Sequence, residues 1–221
     1  MARNKFDLEL DNMNSKLKKM GNLCSEAIFD AALALKNRNE ELATKVIKED
    51  EEIDQIEKEI ENICLKLLLQ QQPVAKDLRQ ISAALKMITD MERIGDQAAD
   101  IAEIVLSGKI KETNEIVKIQ AMAEKVGEMV SGSINAFVKK DLELTRQVML
   151  MDDKVDDYFE EIRDNLIEMI SLNKDDNNQA IDLIMITKYL ERIGDHAVNV
   201  AEWVEFSITG IHTQQNDNIK I

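Results

Sequence analysis

Glu92-Arg93-Ile94-Gly95-Asp96-Gln97-Ala98-Ala99-Asp100-Ile101-Ala102-Glu103 is repeated, with four changes, as Glu191-Arg192-Ile193-Gly194-Asp195-His196-Ala197-Val198-Asn199-Val200-Ala201-Glu202. Two of the changes, Ala99/Val198 and Ile101/Val200, exchange one small apolar residue for another. In both copies acidic residues recur four apart inside a stretch that otherwise has the composition of a helix core. A row of carboxylates along one helical face is the strongest functional signal in the chain.

Working outward, the phrase sits inside long runs of helical periodicity. From Phe6 to about Lys36 apolar residues recur at three and four: Phe6, Leu10, Met13, Leu17, Met20, Cys24, Ala27, Ala31 and Ala34. After a break at Asn37–Asn39, a second helix from about Glu40 turns Leu42, Val46, Ile53, Ile56, Ile60, Ile63 and Leu67 inward. It stops at Gln70-Gln71-Gln72-Pro73, because proline disfavours the helical conformation in the residue before it. The third helix, about Val74 to Leu106, carries the first copy of the phrase, and Gly108 marks its stop. The pattern then restarts near Lys111–Asn114. Helix four reaches about Val138, and helix five follows Asp141 with Leu144, Val148, Val155, Phe159, Ile162 and Leu166 inward. A polar break at Asn173–Asn177 leads into helix six, which carries the second copy and ends near Gly210.

The halves align. Val46–Asp54 matches Val148–Asp156 at an offset of 102, and the two phrases match at 99. The three-residue difference fits the loop that holds Pro73, as duplication of a three-helix unit should leave it. The expected fold is all-α: two tandem three-helix bundles, residues 1–110 and 111–212, with a polar, frayed tail at 213–221. Helices near thirty residues are about 45 Å long at 1.5 Å per residue.

Composition agrees. The chain has 221 residues, 44% of them apolar, with one proline, enough for a substantial helical core. A net charge of -15 argues against a nucleic-acid binder and favours cationic partners, either metal ions or a basic patch on another protein. Acidic surfaces also simply keep helical proteins soluble. Cys24 and Cys64 lack metal-ligand spacing and sit in apolar helical context, so packed free thiols are expected. No apolar leader region or run of about 18 apolar residues occurs, and the expected location is the cytoplasm, without membrane insertion.

Acidic residues are so common here that carboxylates four apart must arise by chance on solvated faces. Three features raise these above that background. At about 100° per residue, Glu92 falls between Ile81 and Leu85 on the apolar stripe, Glu103 shares the direction of Leu85, and Asp96 lies slightly outside. Charges aimed partly at a core are costly unless paired or coordinated. Next, folding helices two and three about Pro73 brings Asp50/Asp54 level with Glu92/Asp96, and Asp152/Asp156 is likewise level with Glu191/Asp195 about Asn173. Carboxylates converging between bundle helices are a known way to build multinuclear metal sites. Finally, Gly95, Ala98, Ala99 and Ala102, with Gly194, Ala197 and Ala201, would admit a close partner backbone. Mid-helix glycine costs about 1 kcal/mol relative to alanine, so its use twice calls for a reason. The competing reading is helix packing without metal.

All-oxygen ligands suit magnesium, calcium, manganese or iron. A ferritin-like di-iron oxidase would need Glu-x-x-His, which neither His196 nor His212 supplies. Arg93 and Arg192 point about 100° from the glutamates beside them, as surface or inter-helix ion pairs, with docking or phosphate holding as an alternative. No nucleophile–base pair, glycine-rich phosphate loop or Walker motif appears, and the methionines fall mostly in core registers.

Together these residues resemble the PhoU family of bacterial phosphate-signalling regulators. The paired Glu-Arg-Ile-Gly-Asp-(His/Gln)-Ala motifs carry the likeness, with Gln71-Gln72-Pro73-Val74-Ala75, Asp77-Leu78-Arg79, Ala83-Ala84-Leu85-Lys86 and the Asp-x-x-x-Asp of helices two and five. The resemblance spans about Phe6 to Gly210. It implies a non-enzymatic, cytoplasmic, dimeric protein that represses phosphate uptake and the phosphate-starvation response. Such a protein links the ATPase subunit of the phosphate ABC transporter to a sensor histidine kinase. It also implies iron, manganese or magnesium clusters on Asp50/Asp54, Glu92/Asp96, Asp152/Asp156 and Glu191/Asp195. Asp100 and Asn199 complete the candidate metal residues; Asn199 keeps the asparagine usual in the family where the first half has Asp100, so two metal sites of unequal charge are expected. The alternatives are a carboxylate-bridged metalloenzyme, hydrolytic or redox, and a metal-free helical scaffold.

Overall fold

An apolar stripe on a helix is stable only when another helix covers it, and here the stripes cover one another. The protein is described by a computed structural model for residues 2–70, 73–108, 110–172 and 177–211. The elements are α1 (Ala2–Asn37), α2 (Glu40–Gln70), α3 (Ala75–Ser107), α4 (Asn114–Lys139), α5 (Leu142–Leu150), α6 (Asp152–Leu172) and α7 (Asn177–Thr209). Among the described residues there is no strand, and no helix is long and apolar enough to cross a membrane. Of the expected polar break at Asn173–Asn177, Asn173–Asp176 lie outside the described residues, as do His212 and the tail from Thr213.

Local chemistry explains the ends. Arg38 takes a left-handed φ of 51° and closes α1, and the Asn39 N–H donates to the Ala34 carbonyl at 3.0 Å. The Asn39 side-chain oxygen then accepts the Leu42 N–H at 3.0 Å and starts α2. Lys140 and Asp141 repeat the device between α4 and α5, with φ of 57° at Lys140 and the Asp141 carboxylate accepting the Leu144 N–H at 3.0 Å. Gly210, at φ 79°, ends α7.

One expectation needs correction. The single helix after Asp141 is interrupted at Met151, so α5 and α6 together take its place. Tighter i→i−3 bonds replace the α-helical ladder there, from Met151 N–H to Val148 O (3.0 Å) and from Lys154 N–H to Met151 O (3.1 Å). The interruption follows a tight seat: a Cβ at Gly132 of α4 would lie 2.7 Å from Val148 Cγ2 of α5. Asp152 therefore opens a helix, whereas Asp50 lies inside one.

α1 to α3 form one bundle and α4 to α7 the other. The bundles join through α3 against α7 and α1 against α4, leaving α2 and α6 as flanking helices. A single hydrophobic core runs through both halves, from Phe6 to Val204. The expected inward residues line it, with Leu10, Leu42, Leu144 and Phe159 half-buried at its margin. Cys24 and Cys64 are buried free thiols. The Cys24 thiol donates to the Met91 carbonyl at 3.3 Å, and burial pushes both thiols above their ordinary range.

Candidate metal centre

The i, i+4 spacing of Asp50 and Asp54 puts both on the face of α2 that meets α3, where Asp96 comes up beside them. Asp50, Asp54 and Asp96 each offer one oxygen, all within 4.8 Å of one another. Gly95 makes the room. A Cβ there would stand 2.7 Å from Asp50 Oδ1 and 2.9 Å from Ile53 Cδ1. The close approach expected of a partner backbone is thus made by side chains. Asp50 Oδ1 is buried without a hydrogen-bond partner, an unusual state for a polar atom. Burial, followed by the charges of Asp96, Asp54 and Glu92, pushes the Asp50 carboxyl up to about 7. Burial also raises Glu92 and Asp96, with Asp96 chief among the charges acting on Glu92 and Asp54 among those acting on Asp96. Glu57, a further α2 carboxylate raised by burial and then by Glu61 and Asp54, belongs to the same field. The nearby cation Lys58 is exposed, with its Nζ 4.0 Å from Asp54 Oδ2. Crowded oxygen donors around an orphaned buried oxygen fit a hard divalent or trivalent cation.

The cluster lies at the solvent edge of its groove. Glu92 is half-buried, but Asp96 and Glu103 are exposed, on a stripe of α3 with Lys86, Thr89 and Arg93. This corrects the expectation that the row aims toward the core. α3 is covered by α1, α2 and α7, so its buried arc turns away from that stripe.

The second half brings Asp152 and Asp156 of α6 near Glu191 and Asp195 of α7. Burial, then Asp156 and Asp195, pushes Asp152 up to about 6. Asp156 and Asp195 are raised by burial and next by Glu191. This cluster differs in kind, because Lys188 Nζ lies 2.5 Å from Glu191 Oε2 and partly offsets the repulsion at Asp156 and Asp195. The same ammonium stands 5.3 Å from the Phe159 ring centroid, and the Arg163 guanidinium carbon stands 5.7 Å from it. Gly194 is less crowded than Gly95; a Cβ would meet Val155 Cγ1 at 3.2 Å and Asp152 Oδ1 at 3.3 Å. Among the described residues, only Asp50, Asp54 and Asp96 bring three ligand oxygens within 4.8 Å.

Asp100 and Asn199 turn to the α3–α7 interface. The Tyr189 hydroxyl donates to Asp100, which still lies close enough to raise Asp96. Asn199 Nδ2 donates to Asp90 Oδ1 at 3.4 Å, and His196 Nδ1 lies 2.8 Å from the same oxygen. At the offset of 99, Tyr189 is the counterpart of Asp90 and Asn199 of Asp100. Each end of the interface therefore carries one acid, and the expected charge difference between the clusters does not come from Asp100 alone. Arg93 and Arg192 face a shared cleft of about 310 Å³ with Asp96, Asp100, Tyr189 and His196.

Sequence reasoning passed over Glu57, Asp90, Lys188 and Tyr189, and placed Phe159 only as an inward-facing apolar residue. The signal was available in the repeat: the offset of 102 sets Glu57 against Phe159, and the offset of 99 sets Thr89 against Lys188.

The likeness to known proteins spans the fold just described. The PhoU domain model matches residues 17–105 and again 119–204, one match per half. The chain is 38% identical to the phosphate-specific transport system accessory protein PhoU homolog of Clostridium acetobutylicum, over 98% of this chain and 100% of that protein. It is 34% identical to PhoU homolog 1 of Thermotoga maritima, over 93% and 89%. The crystal structure of PhoU from Pseudomonas aeruginosa superposes with a TM-score of 0.87 at 31% identity, over 93% of this chain and 100% of that one. The phosphate transport system regulatory protein PhoU from Streptococcus pneumoniae gives 0.85 at 28%, over 94% and 98%. With both halves matched and relatives aligned from end to end, the chain belongs to the PhoU family.

Proposed function

We propose that this protein is a non-enzymatic regulatory accessory of phosphate-specific transport that restrains phosphate uptake and the starvation response. It acts as a cytoplasmic dimer between the transporter ATPase and a phosphate-sensing histidine kinase, with metal-bearing faces on its flanking grooves. Full-length likeness to a relative named as a phosphate-specific transport system accessory protein carries the regulatory reading. The metal reading is supported by Asp50, Asp54 and Asp96, whose oxygens converge beside the unpartnered Asp50 Oδ1. Their half-exposed position, level with the surface, suits a face offered to a partner. Asp50, Asp54, Glu92 and Asp96 would hold iron, manganese or magnesium in the first half, with Asp152, Asp156, Glu191 and Asp195 as the corresponding set. A bound cation would supply the positive charge that these carboxylates lack.

Deleting the protein is expected to leave phosphate-starvation genes active in phosphate-rich medium, read by a reporter; normal repression in the deletion strain excludes the regulatory role. Purified protein is expected to capture the ATPase and the kinase, and to do so less well in chelator.

A further inference from the structure

We infer that Lys188, seated against the Phe159 ring, is a tethered counter-ion of the second carboxylate cluster, so that the two clusters take divalent metal unequally. The first cluster binds at least tenfold more tightly. This rests on the metal reading proposed above and adds to it a residue that sets which half is loaded.

The duplicated frame makes the comparison internal. Position 57 is Glu in the first half and its counterpart is Phe159; position 89 is Thr and its counterpart is Lys188; position 61 is Glu and its counterpart is Arg163. The first two exchanges alone remove one negative charge and add one positive charge. They also act as a pair, because the apolar ring that replaces Glu57 is the surface on which the new ammonium rests, 5.3 Å from its centroid. Beside that ring, and 45% exposed, the Lys188 side chain reaches one turn along α7 to set its ammonium 2.5 Å from Glu191 Oε2, an oxygen a metal would need. A divalent ion entering there must displace an ammonium that is already paired and already held by an aromatic face. At the first cluster the corresponding side chains are a carboxylate and a hydroxyl, and Lys58 stands at 4.0 Å on a side chain 62% exposed. A more distant and more solvated ammonium offsets less of the carboxylate charge, and is displaced more easily, than one at 2.5 Å beside an aromatic face.

The test is a Mn²⁺ titration of the full chain, with free Mn²⁺ read by electron paramagnetic resonance, on wild type, Asp54→Asn, and Asp54→Asn combined with Lys188→Thr or Lys188→Arg. Wild type is expected to show a tight class of Mn²⁺ that Asp54→Asn removes. Adding Lys188→Thr should then tighten the remaining binding tenfold or more, whereas Lys188→Arg, which keeps the charge, should not. Placing the pair in the first half, with Glu57→Phe and Thr89→Lys, should weaken the tight class by a similar factor. Thermal melts of each variant in chelator show that it folds. If wild type takes up Mn²⁺ but Lys188→Thr leaves the second class unchanged, or both clusters bind equally in wild type, the counter-ion role is wrong and the metal reading stands. If neither wild type nor any variant takes up Mn²⁺, both fall.

Discussion

The groove between α2 and α3 and the groove between α6 and α7 present carboxylates in the same register, beside a glycine that makes room for the first of them. The first groove adds Glu57, leaves Asp50 Oδ1 buried without a partner, and gathers three oxygens within 4.8 Å. The second opens its helix at Asp152 after the interruption at Met151 and carries Lys188 on Phe159. Duplication kept the backbone frame and the carboxylates, while residues one helical turn away reset the charge. A repeated motif is therefore a statement about geometry, and its electrostatics must be taken from its neighbours.

The comparison can be broken most forcefully in the core. Ile53 and Val155 occupy corresponding positions beneath the two clusters, and both are buried. Ile53→Ala should cost about 3 kcal/mol, within the range for buried large-to-small changes. Val155→Ala, which removes less, should cost about 2 kcal/mol. Because the core is continuous, each variant should shift one urea transition as a whole. A biphasic transition in either would mean that the halves are independent where they are described as one body.

A smaller effect separates the clusters by pH. Burial and then the neighbouring carboxylates push Asp50 up to about 7 and Asp152 up to about 6 in the folded chain, from an ordinary 3.8. Between those limits the folded chain holds protons that the unfolded chain has released, so stability present below the ordinary value is lost as pH rises through the folded one. In chelator the melting temperature should fall from about pH 4 to pH 8 as far as these groups contribute. Asp50→Asn should flatten the curve up to about 7 and Asp152→Asn only up to about 6. A melting temperature that is equally steep in both variants and wild type would contradict the crowding.

The smallest expected effect sharpens the difference between the glycines. Alanine in mid-helix is worth about 1 kcal/mol over glycine. At Gly194 the contacts of 3.2 and 3.3 Å can yield, so Gly194→Ala should be within about 1 kcal/mol of neutral. At Gly95 the 2.7 Å approach to Asp50 Oδ1 sets overpacking against the propensity gain, so Gly95→Ala should melt lower than Gly194→Ala. The reverse order would show that Asp50 moves freely, and that the groove is not pre-shaped.

Much of this is legible in the sequence. The three- and four-residue spacing located the helices because a 3.6-residue period leaves only one way to bury that stripe. Asn39 and Asp141 are capping residues at the turns where caps are needed. Asp50, Asp54 and Asp96 came together as hairpin arithmetic requires, since antiparallel helices of equal rise bring residues equidistant from a turn to one height. The depth of the row differs from the expectation because a helical wheel gives direction without saying which neighbour covers which arc; Asp96 sits at the edge of both the α2 groove and the α3–α7 cleft and stays exposed. Asp100 was grouped with the cluster on spacing, yet Tyr189, a residue distant in sequence, takes its carboxylate.

The sequence by itself determined the helices, the duplication, the family and the carboxylates that share a groove, because periodicity and turn position act within one hairpin. Only the tertiary structure decided how charged each groove is. Lys188 reaches Glu191 within α7, but the Phe159 ring beside its ammonium is presented from α6, and the partner of Asp100 depends on the packing of α3 against α7. Electrostatic interactions act through space, across helices the chain order keeps apart, so their balance is fixed only when those helices are placed side by side.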